Sequence, residues 1–159
     1  VKRVVVLLLA VVAVFSFIPA SSGMAASAAG TPTLTDIRTG RHATFDRVVL
    51  DLNGQRPEYF VNEVDQLVNC GSGQPVSVPG NGFLEVRLAP AAAHDESGNP
   101  TYTGPRNFPT PGLANVRGVA LTCDFEANLT VGAGYANANS WHRVFLLDNP
   151  TRVVIDIGV

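Results

Sequence analysis

Past its second residue the chain has no lysine. Beyond Arg3 the basic side chains are nine arginines set against thirteen Asp and Glu, a balance of about −4. An acidic, lysine-free surface is a poor match for a phosphate backbone, which argues against a nucleic-acid partner. Cysteine is nearly as scarce. Cys70 and Cys123 are the only two, with no C-x-x-C spacing between them, so neither a zinc ribbon nor a thioredoxin-like pair is expected. The three histidines, His42, His94 and His142, form no H-E-x-x-H motif and no alternating pair on one strand, and no metal or other cofactor is expected. There is no G-x-S-x-G elbow. Ser72 in Gly71-Ser72-Gly73 reads as a turn rather than a nucleophile. Charged residues are only 15% of the chain, but Val, Leu and Phe are plentiful beyond residue 30, so disorder is excluded.

One long hydrophobic run is present, Val4–Ile18, behind the basic pair Lys2-Arg3 and closed by Pro19. Small residues follow, and Ala26-Ser27-Ala28 fits a small-x-small cleavage site. The competing reading is a retained transmembrane anchor. Fifteen residues fall short of the roughly 20 that a bilayer span needs, and no basic stop-transfer cluster follows. The expectation is a signal peptide over 1–28, cleaved to leave no membrane anchor, a linker over 29–32, and one domain over 33–159. Val1 reads as a bacterial alternative start codon. Two cysteines in an oxidising compartment usually pair, so a structural Cys70–Cys123 disulfide is expected, with two buried free thiols as the alternative.

From Thr31 onward the hydrophobic pattern has period two, and no dozen-residue window has helical periodicity. Strands are predicted at 34–38, 45–52, 59–68, 75–78, 83–89, 116–123, 126–133, 141–147 and 152–157. They are separated by Asn53-Gly54, Gly71-Ser72-Gly73, Pro79-Gly80-Asn81-Gly82, Gly132-Ala133-Gly134 and Asp148-Asn149-Pro150. A single turn is allowed at 91–94. Eight or nine short strands in a domain of this size predict an all-β fold, an antiparallel β-sandwich or a partly closed barrel.

An internal echo fixes one pairing. Arg47-Val-Val-Leu-Asp-Leu52 and Arg152-Val-Val-Ile-Asp-Ile157 are nearly the same hexamer. Alternation puts Arg, Val and Asp on one face and three aliphatics on the other. Antiparallel and in register, the two strands would set Arg47 opposite Asp156 and Arg152 opposite Asp51, whereas a parallel pair would set Arg against Arg. The alternative is that this Arg/Asp face is a ligand surface.

The segment 90–115 differs from the rest, with five prolines and three glycines among His94, Asp95, Tyr102, Arg106 and Phe108. Such a segment is either a stiff cover over one end of the sandwich or a recognition loop. Asp124 and Glu126 alternate onto one face and are a candidate pair of carboxylates for glycoside cleavage, but they sit at a turn, where Asp is commonly structural. The residues suited to a polar polymer are Arg41, His42, Arg47, His94, Tyr102, Arg106, Trp141 and Arg143: aromatic faces for sugar rings, guanidinium forks for carboxylates. Asp46-Arg47 and His142-Arg143 open two strands and are expected at one end of the sandwich. Trp141 is equally suited to plugging the core.

The run Leu34-Thr-Asp-Ile-Arg-Thr-Gly-Arg-His-Ala-Thr-Phe-Asp-Arg-Val-Val-Leu-Asp51 resembles the opening of the AMIN-like domain of secreted actinobacterial proteins and lipoproteins. The resemblance continues through Tyr59, Val64-Asp65, Gly71-Ser72-Gly73, Phe83-Leu84, Ala91-Ala92-Ala93-His94-Asp95, Asp124-Phe125-Glu126 and Arg152–Asp156, covering residues 33 to 157. It implies a β-sandwich working in the cell envelope, with peptidoglycan or another cell-wall polymer as ligand. The chain lacks the lipobox cysteine of many relatives and carries the Cys70/Cys123 pair instead, which implies that the strands ending near those residues lie side by side. The combined expectation is a secreted, non-catalytic, wall-associated module whose partner is a wall glycan. An extracellular protein-interaction domain, binding an envelope protein, is the second reading and a cell-wall hydrolase the third.

Overall fold

A computed structural model describes residues 30–159, and the predicted signal peptide lies outside the described residues. Nine strands follow in order: β1 (Thr33–Arg41), β2 (Phe45–Asn53), β3 (Glu58–Val64), β4 (Gly82–Ala89), β5 (Asn107–Pro109), β6 (Val116–Phe125), β7 (Asn128–Tyr135), β8 (His142–Leu147) and β9 (Thr151–Gly158). They form two separate antiparallel sheets, β1-β2-β9-β8 and β3-β4-β7-β6-β5, so the fold is a sandwich and not a partly closed barrel.

Alternation dictates the core. Val48, Leu50 and Leu52 of β2 and Val153, Ile155 and Ile157 of β9 all face inward, against Leu84, Val86 and Leu88 of β4 and Val119, Leu121, Leu129 and Val131 of β6 and β7. The twin hexamers pair antiparallel with Arg47 opposite Asp156 and Asp51 opposite Arg152. Only one of the two expected ion pairs forms. Arg47 binds Asp156, but the Asp51 carboxylate is taken by Arg38 from the neighbouring β1, with Nη2 at 2.8 Å. Arg152 turns instead to the carbonyls of Pro150 and Asp148, at 3.2 and 3.4 Å. A third strand had a better placed guanidinium than the partner directly opposite.

Four other expectations are corrected. Residues 75–78 form no strand, because Pro75 and Pro79 cannot donate to a ladder. β3 stops at Val64, and the loop that follows folds back over the outer face of the five-stranded sheet, where Leu67 and Val78 make a small second core with Ala120. The Gly132-Ala133-Gly134 breaker lies inside β7. Its glycines leave the groove that this loop fills: a Cβ on Gly132 would run into the Leu67 methyl groups, and one on Gly134 into Val78. Residues 91–94 are extended rather than turned, with Ala92 bridging Thr33.

Segment 90–115 contains the short strand β5, and Asp46 of β2 anchors its end. The turn between β6 and β7 is Glu126-Ala127, both with left-handed φ (48° and 55°), the geometry of a two-residue type I′ hairpin that usually takes Asn-Gly. Left-handed backbone costs alanine about 1–2 kcal/mol, while glycine loses about 0.5–1 kcal/mol more chain entropy on folding. Ala127→Gly is therefore expected to stabilise the domain by about 0.5 kcal/mol, read as a small rise in the urea midpoint at unchanged slope.

Candidate functional site

The outer face of the four-stranded sheet gathers aromatic and arginine side chains at one end. In register across β2, β9 and β8 lie Arg47, Asp156 and Arg143, and one step toward the strand ends lie Phe45 and Gly158. Trp141 immediately precedes β8. Its carbonyl accepts the Gly158 N–H at 2.9 Å, and its indole lies over Gly158, where a Cβ would collide with Nε1. The absence of a side chain at Gly158 is what lets the ring sit on the sheet. Phe45 fills the space beside it, with ring centroids 6.1 Å apart, and His42 stacks on Phe45 at 4.3 Å. Trp141 is 51% exposed, so it is a surface ring and not a core plug.

Asp156 is fully buried beneath this surface. Arg47 holds it with two hydrogen bonds, from Nε at 2.6 Å and Nη2 at 2.9 Å, and Arg143 with one from Nη2 at 2.6 Å. The guanidinium of Arg47 also lies 5.1 Å from the Phe45 ring centre and 5.7 Å from that of Phe145, and Arg143 lies 4.8 Å from Phe145, within cation–π range. Burial is the largest single influence on the Asp156 carboxyl and pushes its pKa up, but the hydrogen bonds and charges of Arg47 and Arg143 together hold it below its ordinary value. Arg47, hydrogen-bonded to that carboxylate, is correspondingly pushed up.

A carboxyl whose pKa is depressed on folding adds stability above its unfolded value, about 3.9, and that contribution is lost as pH falls through the folded value. Thermal midpoints are therefore expected to lose the Asp156 contribution only below about pH 4. An Asp156→Asn variant should lack that part of the acid dependence and be about 2–3 kcal/mol less stable at pH 7, since two arginines lose their counter-charge. An acid profile identical to the parent's would refute the assignment.

The eight expected ligand-binding residues divide into two groups and an outlier. His42, Arg47, Trp141 and Arg143 share the face just described. Arg41 does not: it pairs in register with the inward-facing Asp46, which turns it to the other side of the sheet from Arg47. His94, Tyr102 and Arg106 line a separate cleft with Asp124, where β6 reaches its turn. Phe45, Phe145 and Gly158 were missed from sequence, although Phe45 and Phe145 each stand two residues from an arginine of the site, the spacing of one strand face.

The side chains considered for catalysis have structural engagements. Asp124 accepts the Ala93 N–H at 2.9 Å and lies 3.0 Å from His94 Nδ1, and Glu126 sits in the hairpin turn. Ser72 Oγ accepts the Gln74 N–H. His142 faces Glu63 across the sandwich at 3.3 Å. Among the described residues, no three His, Cys, Asp or Glu side chains are placed to hold one metal ion.

Two stacked antiparallel sheets, one bearing an exposed aromatic–arginine face, define a β-sandwich domain. The family model of the AMIN-like domain matches residues 32–159, and the chain belongs to that family. No curated protein and no solved structure matches it.

Proposed function

We propose that the protein is an exported, non-catalytic module that binds a cell-wall polymer through the outer face of the β1-β2-β9-β8 sheet. The observation that carries this reading is the exposed Trp141 ring, flanked by Phe45 and His42 and set beside Arg143. A flat indole accepts the apolar face of a sugar ring. Arg143 gives one Nη2–H to Asp156 and stays mostly exposed, so the rest of its fork is available to a ligand carboxylate. Membership of the AMIN-like family, the Lys2-Arg3 and Val4–Ile18 leader pattern and the Cys70–Cys123 disulfide, a bond that persists in oxidising compartments, support an envelope setting.

The test is co-sedimentation with purified sacculi. Parent protein is expected to pellet, and Trp141→Ala and Arg143→Gln each to weaken retention about tenfold, the range of one stacked ring or one charged hydrogen bond. Unchanged retention in both variants would overturn the reading. No clearing is expected on a sacculus zymogram. A second reading, a protein partner added to the free edge of β3, is favoured by the exposed Tyr59 and Phe60 there. It would leave pelleting insensitive to enzymatic digestion of the glycan.

A further inference from the structure

At the far end of the strands from Trp141, a cleft of about 330 Å³ opens between the segment after β4 and the end of β6. Leu121 forms its floor, Pro100 and the Tyr102 ring its apolar side, and His94, Arg106 and Asp124 its polar walls. The Asp124 and Tyr102 side chains are fixed in orientation. Asp124 is held inward by the Ala93 N–H and lies 3.0 Å from His94 Nδ1. In the neutral imidazole that carboxylate keeps the ring proton on Nδ1 and leaves Nε2 free to accept a hydrogen bond. Tyr102 gives its hydroxyl proton to the Pro105 carbonyl at 2.9 Å, so its ring is locked as a wall. The Arg106 carbonyl accepts the Leu121 N–H at 2.7 Å, which fixes its backbone at the rim. Its guanidinium makes no hydrogen bond or ion pair among the described residues.

An acceptor nitrogen, an unpaired guanidinium and an apolar lining in one small cleft suit a group that carries one N–H donor and one carboxylate. We propose that this cleft binds the C-terminal residue of an acyl peptide. The terminal N–H donates to His94 Nε2, the terminal carboxylate takes the Arg106 fork, and a small side chain rests on Leu121. The nearby carboxylates Asp124 and Asp95 disfavour a multiply charged anion, so a single carboxylate is preferred to phosphate. The site is independent of the sheet face carrying Trp141 and does not require it to bind sugar.

The test is titration of the intact protein with N-acetyl-alanyl-alanine, as the all-L and the all-D peptide, following the His94 ring protons by NMR. One of the two is expected to give a saturable shift. The same dipeptide as its C-terminal amide should bind at least about tenfold more weakly, because a charged hydrogen bond is lost. Arg106→Gln should abolish saturation. Arg106 is exposed and makes no side-chain contact of this kind, so that variant is expected to fold normally. Trp141→Ala should leave the dipeptide affinity unchanged, which separates failure here from failure of the sheet-face reading. Equal binding of acid and amide, unchanged affinity in Arg106→Gln, equal competition by inorganic phosphate, or no saturable shift with either peptide would each overturn the proposal.

Discussion

Asp46→Ala is expected to destabilise the domain by about 4 kcal/mol, a fall of roughly 12–20 °C in Tm for a domain of this size. Asp46 is a fully buried carboxylate on the inward-facing side of β2. It accepts three backbone N–H groups from the start of β6 and the residues before it: Ala114 at 3.1 Å, Asn115 at 2.6 Å and Val116 at 2.9 Å. Those of Asn115 and Val116 would be left buried and unpaired in the alanine variant and that of Ala114 partly buried, at about 1–3 kcal/mol apiece. Water entering the space of the lost carboxylate keeps the sum toward the low end.

The effect should also reach the Trp141 face. Asn115 donates from Nδ2 to Ser140 Oγ at 2.8 Å and to the Gly158 carbonyl at 2.6 Å, and its Oδ1 accepts the Asn137 N–H. Ser140 precedes Trp141, and Gly158 lies beneath its ring. Loosening Asn115 should therefore weaken sacculus retention as well as lower Tm. Asp46→Asn keeps an acceptor oxygen and should cost about half as much. Urea unfolding followed by circular dichroism reads both variants, and an Asp46→Ala midpoint within experimental error of the parent would show that the carboxylate is not the clamp.

Asp46 also shows how far the sequence can be read. It shares the inward register of Val48 and Leu50, so alternation alone places a carboxylate in the core and demands partners for it. What alternation cannot supply is that those partners come from residues 68 to 70 positions further on, because backbone N–H groups carry no sequence signature. The same limit explains the second ion pair. Period two and the twin hexamers set β2 against β9 with the right register, yet Arg38 belongs to a strand whose bulge between Leu34 and Asp36 shifts its alignment. That bulge has no marker in the run from Leu34 to Ile37. The aromatic–arginine face was legible in part, since strand-start positions 46–47 and 142–143 pointed to a common end. The role of Gly158 was not, because a glycine chosen to admit a ring from another strand reads like any other strand-end glycine.

Removing the disulfide is the second large perturbation. Cys70 and Cys123 are bonded, which closes a 53-residue separation and contributes about 4 kcal/mol in the chain-entropy model. The sequence expectation of two strands side by side holds for Cys123, on β6, but Cys70 lies in the loop beyond β3, where its N–H donates to the Thr122 carbonyl at 3.2 Å. The bond therefore pins a loop onto a sheet. That loop carries Leu67 and Val78 over the glycines of β6 and β7, and its own ladder is slight: Val76 N–H to the Leu67 carbonyl, Asn69 N–H to that of Gln74. A Cys70→Ser/Cys123→Ser variant is expected to lose about 2–4 kcal/mol, less than a typical domain's 5–15 kcal/mol, so it should remain folded at 25 °C. Its defect should be local before it is global. The amides of Asn69, Gly73 and Val76 should exchange much faster, and limited proteolysis should cut first between residues 68 and 77, while the amides of β2 and β9 keep their protection. The Trp141 face is on the other sheet, so sacculus retention should be unchanged while the fold persists. Uniform loss of protection in both sheets would instead mean that the loop and the main core unfold as one unit.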